Sequence, residues 1–360
     1  MDRFYYLKHS SIDFHFRQTP RDFTVEEVPL YEFSGTGDHL VVFIRKKDLS
    51  THELIAILAK HLGVKNREIG YAGLKDKHAL TKQYISIPKS YEQKLDEFEH
   101  ENIKILAKTY HNNKLKIGHL KGNKFFIRLK KVTPLNAKKI DEAIGSIEKW
   151  GMPNYFGYQR FGNDKNNHEL GRDIVRGVKK ERNKTIKEFL LSAYQSHLFN
   201  LWLSRRLEMS RLVESFSIDE LEPLLNLDRD TLVMMKNQKH PFKIMMGDLL
   251  EHYPYGRLFE FLGEDGDIAR IEAKDVAPTG LLAGKRVKRA TAMAGVIEKE
   301  FDEQVGEDGT RRYAWVYPLD INHKYKEEDA HYELGFYLPK GSYATVLLEE
   351  IAKRDLSPMA

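Results

Sequence analysis

The chain of 360 residues contains no cysteine. Disulfides, zinc ribbons, iron–sulfur clusters and thiol nucleophiles are thereby excluded. Its 15 histidines could still hold a metal, but no His-Glu-x-x-His pair or similar close spacing occurs among them. No run of about 18 or more uncharged apolar residues is available to span a membrane. Met1 to Ser11 lacks the apolar stretch of a secretory signal, so a soluble cytoplasmic protein is expected. Low-complexity tracts and internal repeats are absent as well.

What is present suits a folded, well-solvated chain. Hydrophobic residues make up 41% and charged residues 31%, enough for sizeable cores and far from the balance of a disordered segment. The length suggests two domains or three. Lys and Arg number 58 against 53 Asp and Glu, a net charge of +5. That excess is compatible with a polyanionic partner without establishing one; where the cations cluster says more.

Along the chain, Phe23–Val28 and His39–Ile44 read as strands with Gly35–Asp38 as the turn between them. Ser50 and Glu53 form a capping box, behind which Leu54, Ile55, Leu58, Ala59 and Leu62 share one helical face and Gly63 supplies a stop. Leu115 to Val132 reads as a basic strand pair around Lys121-Gly-Asn-Lys124, and Asn136 to Trp150 as a helix. From about Glu181 the pattern changes to a long helix (Thr185 to Met209), then acidic and Met-rich segments, then a second long helical stretch after Pro278. Strand-like patterns return at Arg312–Tyr317 and Tyr332–Leu338, followed by a helix from Ala344 to Ala352 with Ser342 as its cap. The fold class is α+β with an antiparallel sheet. Strands at both ends around a different middle suggest one domain inserted into another.

Four segments could carry chemistry. In Gly70–Ala79 an apolar stretch runs into a Gly-containing turn that presents Asp76 between Lys75 and Lys77, with His78 adjacent. Neighbouring cations favour an ionised carboxylate, which can act as nucleophile, general base or electrostatic stabiliser. A solvated charged turn between two strands is the plainer alternative. In Pro153–Gly162, four aromatics alternate with Asn154, Gln159, Arg160 and two glycines. Such rings can stack on a base while the polar groups read its edge or phosphate, or they can simply pack a core with Arg160 paired to a carboxylate. Phe16–Glu27 groups Arg17, Arg21, Asp22 and Glu27 around a proline turn, a pattern that more commonly ties strands together. Basic runs at Lys108–Lys131 and Lys285–Arg289 would suit walls of a nucleic-acid groove, each neutralised phosphate adding salt-dependent affinity. No basic segment carries the broad apolar face that a membrane surface needs.

Taken together, these segments resemble the TruD family of pseudouridine synthases over nearly the whole chain. Gly73–Ala79 with Thr81 and Gln83 matches the family's catalytic motif and implies that Asp76 is the nucleophile. Asn154–Gly157 with Gln159–Gly162 matches a second motif, implying that Asn154 lies near that aspartate and that Phe156 stacks on the target base. Phe16–Glu27 matches a third, implying that Arg17, Phe23 and Glu27 line the active site. Further matches are Lys121–Asn123, Leu191–Ala193 with Leu198–Asn200, Gly247-Asp248 and Leu338–Thr345. Two departures stand out: Arg17 where relatives often have Lys, and Tyr343 where they often have Phe.

The resemblance implies a V-shaped molecule. A catalytic domain (residues 1–180 and 316–360) would be built on a mixed, largely antiparallel sheet, with an inserted α+β domain at 181–315 and RNA in the cleft. It implies conversion of uridine to pseudouridine at uridine 13 in the D arm of tRNA-Glu. Arg17 would hold Asp76 charged, while Lys75, Lys77, His78, Lys121, Gln159 and Arg160 would contact RNA. The reaction needs no redox change or net hydrolysis, hence no cofactor and no metal; tRNA is the partner, and no protein partner is implied. A non-catalytic structured-RNA-binding protein is the rival reading. A metal-dependent nuclease is a second, disfavoured because Asp76 stands among lysines and not among carboxylates.

Overall fold

The computed structural model describes residues 3–162 and 164–357. By packing, the chain divides into two compact units, one of residues 13–138 and 318–341, the other of residues 1–12, 139–317 and 342–360. Residues 139–180 therefore fall in the same compact unit as the middle of the chain.

The first unit is built on an eight-stranded mixed sheet. In spatial order its strands are Leu319–Lys326, His331–Pro339, Leu120–Lys130, Phe23–Pro29, Leu80–Pro88, His39–Lys47 and Ile103–His111, with the short Gly70–Tyr71 also on Leu80–Pro88. All pairings are antiparallel except that of Phe23–Pro29 with Leu80–Pro88, which is parallel. The two strands expected to flank a turn at Gly35–Asp38 are thus not partners, because Leu80–Pro88 lies between them. The expected turn at Lys121–Lys124 is likewise continuous strand. A Cβ at Gly122 would stand 2.2 Å from the Leu338 carbonyl, so the glycine serves the close approach of a neighbouring backbone.

The helix Thr51–Leu62 forms as its sequence predicts. Ser50 and Glu53 close a capping box, and Gly63 ends the helix at φ 74°, a left-handed value glycine adopts without a Cβ clash. Leu54, Ile55, Leu58, Ala59 and Leu62 pack on Leu40, Val42, Ile44, Ile85 and Ile87 of the sheet. Alternate residues of a strand face one side, and this burial is what holds the register of the two strands.

The second unit centres on the 32-residue helix Lys184–Ser215, longer than expected at both ends. Beside it lies a four-stranded antiparallel sheet of Thr310–Tyr313, Val276–Leu282, Leu249–His252 and Leu258–Glu260. Pro278 begins no long helix. It lies inside the Val276–Leu282 strand, and the helix that follows is only Ala292–Lys299. The expected strand at Arg312–Tyr317 is broken at Ala314: Trp315–Val316 turns away to pair with Met152–Pro153. The C-terminal helix runs Ala344–Ala352, but its N-cap is Tyr343 and the Ser342 hydroxyl is buried without a partner. Among the described residues no helix is long and apolar enough to cross a membrane.

Candidate active site

Within the first unit, the turn between Gly70–Tyr71 and Leu80–Pro88 is pinned from several sides. The Gly118 amide donates to the Ala72 carbonyl (2.8 Å), and the Lys75 amide donates to the Thr51 hydroxyl at the start of the helix (2.9 Å). The Lys75 side chain doubles back into the protein, where its ammonium meets the Glu27 carboxylate at 2.6 Å with both groups almost fully buried. A Cβ at Gly73 would come within 3.2 Å of that ammonium. Glu27 in turn accepts the Tyr84 amide at 3.2 Å. Burial pushes the Glu27 carboxyl upward, and Lys75 opposes the shift.

With its neighbour anchored inward, Asp76 is left facing solvent. The protein still crowds it from behind. That desolvation raises its pKa above the usual carboxylate value, against the downward pull of Lys46, Lys75 and His78. The neighbouring cations favour the ionised form, as the sequence suggests; the packing that opposes them is not visible in the sequence. Lys46, also missed, is fully buried and donates from its ammonium to the Leu49 and Asp76 carbonyls, the latter at 3.1 Å. Its signal was faint, since Arg45-Lys-Lys47 reads as the solvated end of a strand. Only the burial alternation shows that Arg45 and Lys47 point out while Lys46 points in.

Other candidates in this unit divide by environment. Lys77 is exposed and pairs with Glu53 at 2.7 Å, and His78 and Lys121 are exposed. Lys75 is turned inward, so its ammonium is not a surface contact for RNA. Arg17 is exposed and forms no ion pair among the described residues, so the expected pairing with Asp76 is not made. Phe23 is 2% exposed and packs between Phe16 and Phe125, a core position and not a surface for stacking. Asp22 bridges Lys130 (2.5 Å) and Arg128 (3.6 Å), the strand-tying role its segment suggested.

In the second unit, Asn154 and Phe156 form one cluster with Arg312, which sequence reasoning took only as part of a strand. The Arg312 guanidinium stands 3.8 Å from the centre of the Phe156 ring. It also donates to the Asn154 carbonyl (2.9 Å) and side-chain oxygen (3.0 Å). Burial draws its pKa down to about 10, still charged at neutral pH. Asn154 completes its bonding through the Tyr313 carbonyl (3.0 Å). Asn200 clamps the Phe156 main chain from both sides, accepting its amide (2.8 Å) and donating to its carbonyl (3.0 Å). Phe156 keeps 8% of its surface, with Phe199 and the half-buried Tyr343 against its ring. Tyr343, one of the two departures from the family pattern, is itself only half-buried.

Gln159 and Arg160 are held internally. Gln159 bonds Thr345 at 3.2 Å, and Arg160 donates to Ser192 (2.6 Å) and Ser196 (3.2 Å). Among the described residues no carboxylate pairs with Arg160; two serine hydroxyls take the place that the packing alternative gave to one. Among the described residues no group of three His, Asp or Glu is arranged to hold a metal ion.

The family described as tRNA pseudouridine synthase D (TruD) matches residues 2–182 and 180–351. A tRNA pseudouridine synthase D from Sulfurimonas denitrificans is 66% identical, the match covering 99% of this chain and 100% of the relative. That from Wolinella succinogenes is 53% identical, covering 99% of each. A crystal structure described as tRNA pseudouridine synthase D (TruD) from Methanosarcina mazei superposes with a TM-score of 0.69 over 98% of this chain and 96% of that one. At 22% identity that likeness speaks for the fold alone.

Proposed function

The chain belongs to the TruD family of tRNA pseudouridine synthases, and from that premise we propose that it isomerises uridine to pseudouridine in tRNA with Asp76 as nucleophile. The target is uridine 13 in the D arm of tRNA-Glu. The observation that carries the assignment is the turn itself: Lys75 is anchored inward on Glu27 and Thr51, Lys46 holds the Asp76 carbonyl from behind, and the Asp76 side chain is presented outward.

In the proposed reaction the bond between uracil N1 and ribose C1′ breaks, the base turns, and C5 joins C1′. N1 gains a proton and C5 loses one, so atoms and electrons balance without a co-reactant. The carboxylate, ionised and close to the sugar, attacks C1′ and displaces uracil N1; C5 of the turned base then displaces the carboxylate from C1′ and returns it free. A base inside a folded tRNA must first leave its stack, at a cost of a few kcal/mol. Phe156, held edge and face by its own cluster, is assigned to the detached base, and Asn154 to the support of that ring. Lys77, His78 and Lys121 are exposed and suit phosphate contacts. Residues 181–315 act as the inserted domain and 1–180 with 316–360 as the catalytic one. A tRNA substrate places the work in the cytoplasm.

The test is release of tritium from C5-labelled uridine in transcript tRNAs, followed by mapping of the modified position. Wild-type protein releases tritium from tRNA-Glu at position 13 and does so fully in EDTA. Asp76→Asn loses release while filter binding of tRNA is retained. Binding without release by the wild type would favour the passive RNA-binding reading, and release by Asp76→Asn would remove the nucleophile assignment.

A further inference from the structure

We infer that Lys46 is a positioning residue for the reaction, fixing the main chain of Asp76 and holding a positive charge behind its carboxylate; this rests on the function proposed above. A lysine with 0% of its surface exposed is rare unless it is paired. Lys46 forms no ion pair among the described residues. Its ammonium instead bridges two main-chain carbonyls, Leu49 just before the helix and Asp76 on the turn. Burying an ammonium against two dipoles is a poor way to stabilise a fold. It is a good way to hold one carbonyl, and so one side chain, in a fixed place.

The surroundings support a dedicated seat. Lys46 stands opposite Thr81 in the antiparallel pair of His39–Lys47 with Leu80–Pro88, and Ile44 stands opposite Gln83. The Thr51 hydroxyl, which receives the Lys75 amide, donates to Gln83 at 3.1 Å. Thr81 and Gln83 are fully buried and each keeps one polar atom without a partner. A polar pocket of this kind inside an apolar sheet face is destabilising unless it does something else. Here each member touches, or touches a neighbour of, the turn that carries Asp76.

The charged groups acting on Lys46 are Asp76 and Lys75 on the turn and Glu53 on the helix. Desolvation draws its pKa down to about 8, with Asp76 the largest opposing influence. Loss of that proton removes the charge behind the carboxylate and weakens the hold on the Asp76 carbonyl. Turnover by the wild type should therefore fall as pH rises through about 8.

The experiment compares wild type, Lys46→Met, Lys46→Arg and Asp76→Asn by tritium release and tRNA filter binding across pH 6 to 10, with thermal melting of each. Lys46→Met, of similar length but uncharged, should lower kcat by roughly 10²-fold, the scale of a small misplacement of a reacting group. KM and tRNA binding should be unchanged. Lys46→Arg should recover most of that loss and move the alkaline fall to higher pH. Wild-type kcat in a folded Lys46→Met protein overturns the inference. If Lys46→Met does not fold, an alkaline fall that stays in place in Lys46→Arg overturns it instead. Absence of release by the wild type counts against the proposed function; full release by wild type and Lys46→Met with none by Asp76→Asn counts against Lys46 alone.

Discussion

The Lys75 ammonium lies 2.6 Å from the Glu27 carboxylate, and the pair is almost wholly shielded from water. Removing one partner strands the other charge. Lys75→Met should therefore lower stability by about 3–5 kcal/mol, and Lys75→Met combined with Glu27→Gln should recover part of the loss. Urea unfolding at pH 7 measures both. A single variant with the wild-type midpoint would show that the pair carries no weight. The same variant should slow conversion, because the inward turn of Lys75 is what leaves its successor facing solvent.

Arg312 joins Asn154 to Phe156 through three hydrogen bonds and one ring face. Arg312→Met keeps an unbranched apolar stem and loses the guanidinium with all of these contacts. If Asn154 and Phe156 serve the reaction as proposed, kcat should fall about 10- to 100-fold, or roughly 1.4–2.7 kcal/mol in the barrier. Steady-state tritium release on tRNA-Glu transcript is the measurement, and kcat within a factor of two of wild type in a folded protein would sink this one.

The Gly247-Asp248 motif has a structural explanation that owes nothing to catalysis. Asp248 receives Arg206 through two bonds of 2.6 and 2.8 Å, deep in the second unit. The guanidinium also lies over the Phe242 ring at 4.8 Å. Asp248→Asn should cost about 3–5 kcal/mol of stability. Gly247 has φ 87°, and a Cβ there would stand 2.0 Å from the Thr291 carbonyl. Gly247→Ala should cost at least about 1–3 kcal/mol. Both are read from denaturant midpoints, with per-molecule activity of the folded fraction unchanged.

His240 contributes one part of the pH dependence of stability, opposed in the same range by buried Glu350, whose carboxyl desolvation raises to about 7. His240 is buried between Trp150 and Trp315, and desolvation lowers its pKa to about 4. A histidine whose folded pKa lies below its unfolded value takes its proton first in the unfolded chain. Stability contributed by its neutral form is whole above about pH 6.5 and drains as pH falls towards about 4. The loss from this residue is on the order of 3 kcal/mol. His197 is lowered in the same direction and adds to it. His240→Phe should flatten the dependence of the urea midpoint between pH 7 and pH 4.5. An unchanged slope would mean that His240 contributes nothing to it.

How much of this was legible in the sequence depended on the range of the cause. The helix after Ser50 could be read in full, because its cap, apolar face and stop are all local. Strand order could not. Nothing in Phe23–Pro29 or Leu80–Pro88 announces that they lie side by side and parallel, and Gly122 reads as a turn until the strand from Leu338 is placed against it. The candidate site shows the same division. Asp76 was visible through its motif and its sequence neighbours. Lys46 and Arg312 were not, since each is recruited from a strand whose composition reads as solvated surface or core. Lys75, Arg160 and Gln159 read as RNA contacts because type was legible and direction was not; the structure turns all three towards their own protein.

The strand Leu120–Lys130 pairs along one side with His331–Pro339, which a ribosome delivers only after the whole intervening middle of the chain. Throughout that interval its edge is unmated and open to any extended peptide that drifts past. Synthesis halted before Pro318 would leave the edge bare for good. Such truncated products should collect in inclusion bodies, and clearance by proteases should be their usual fate.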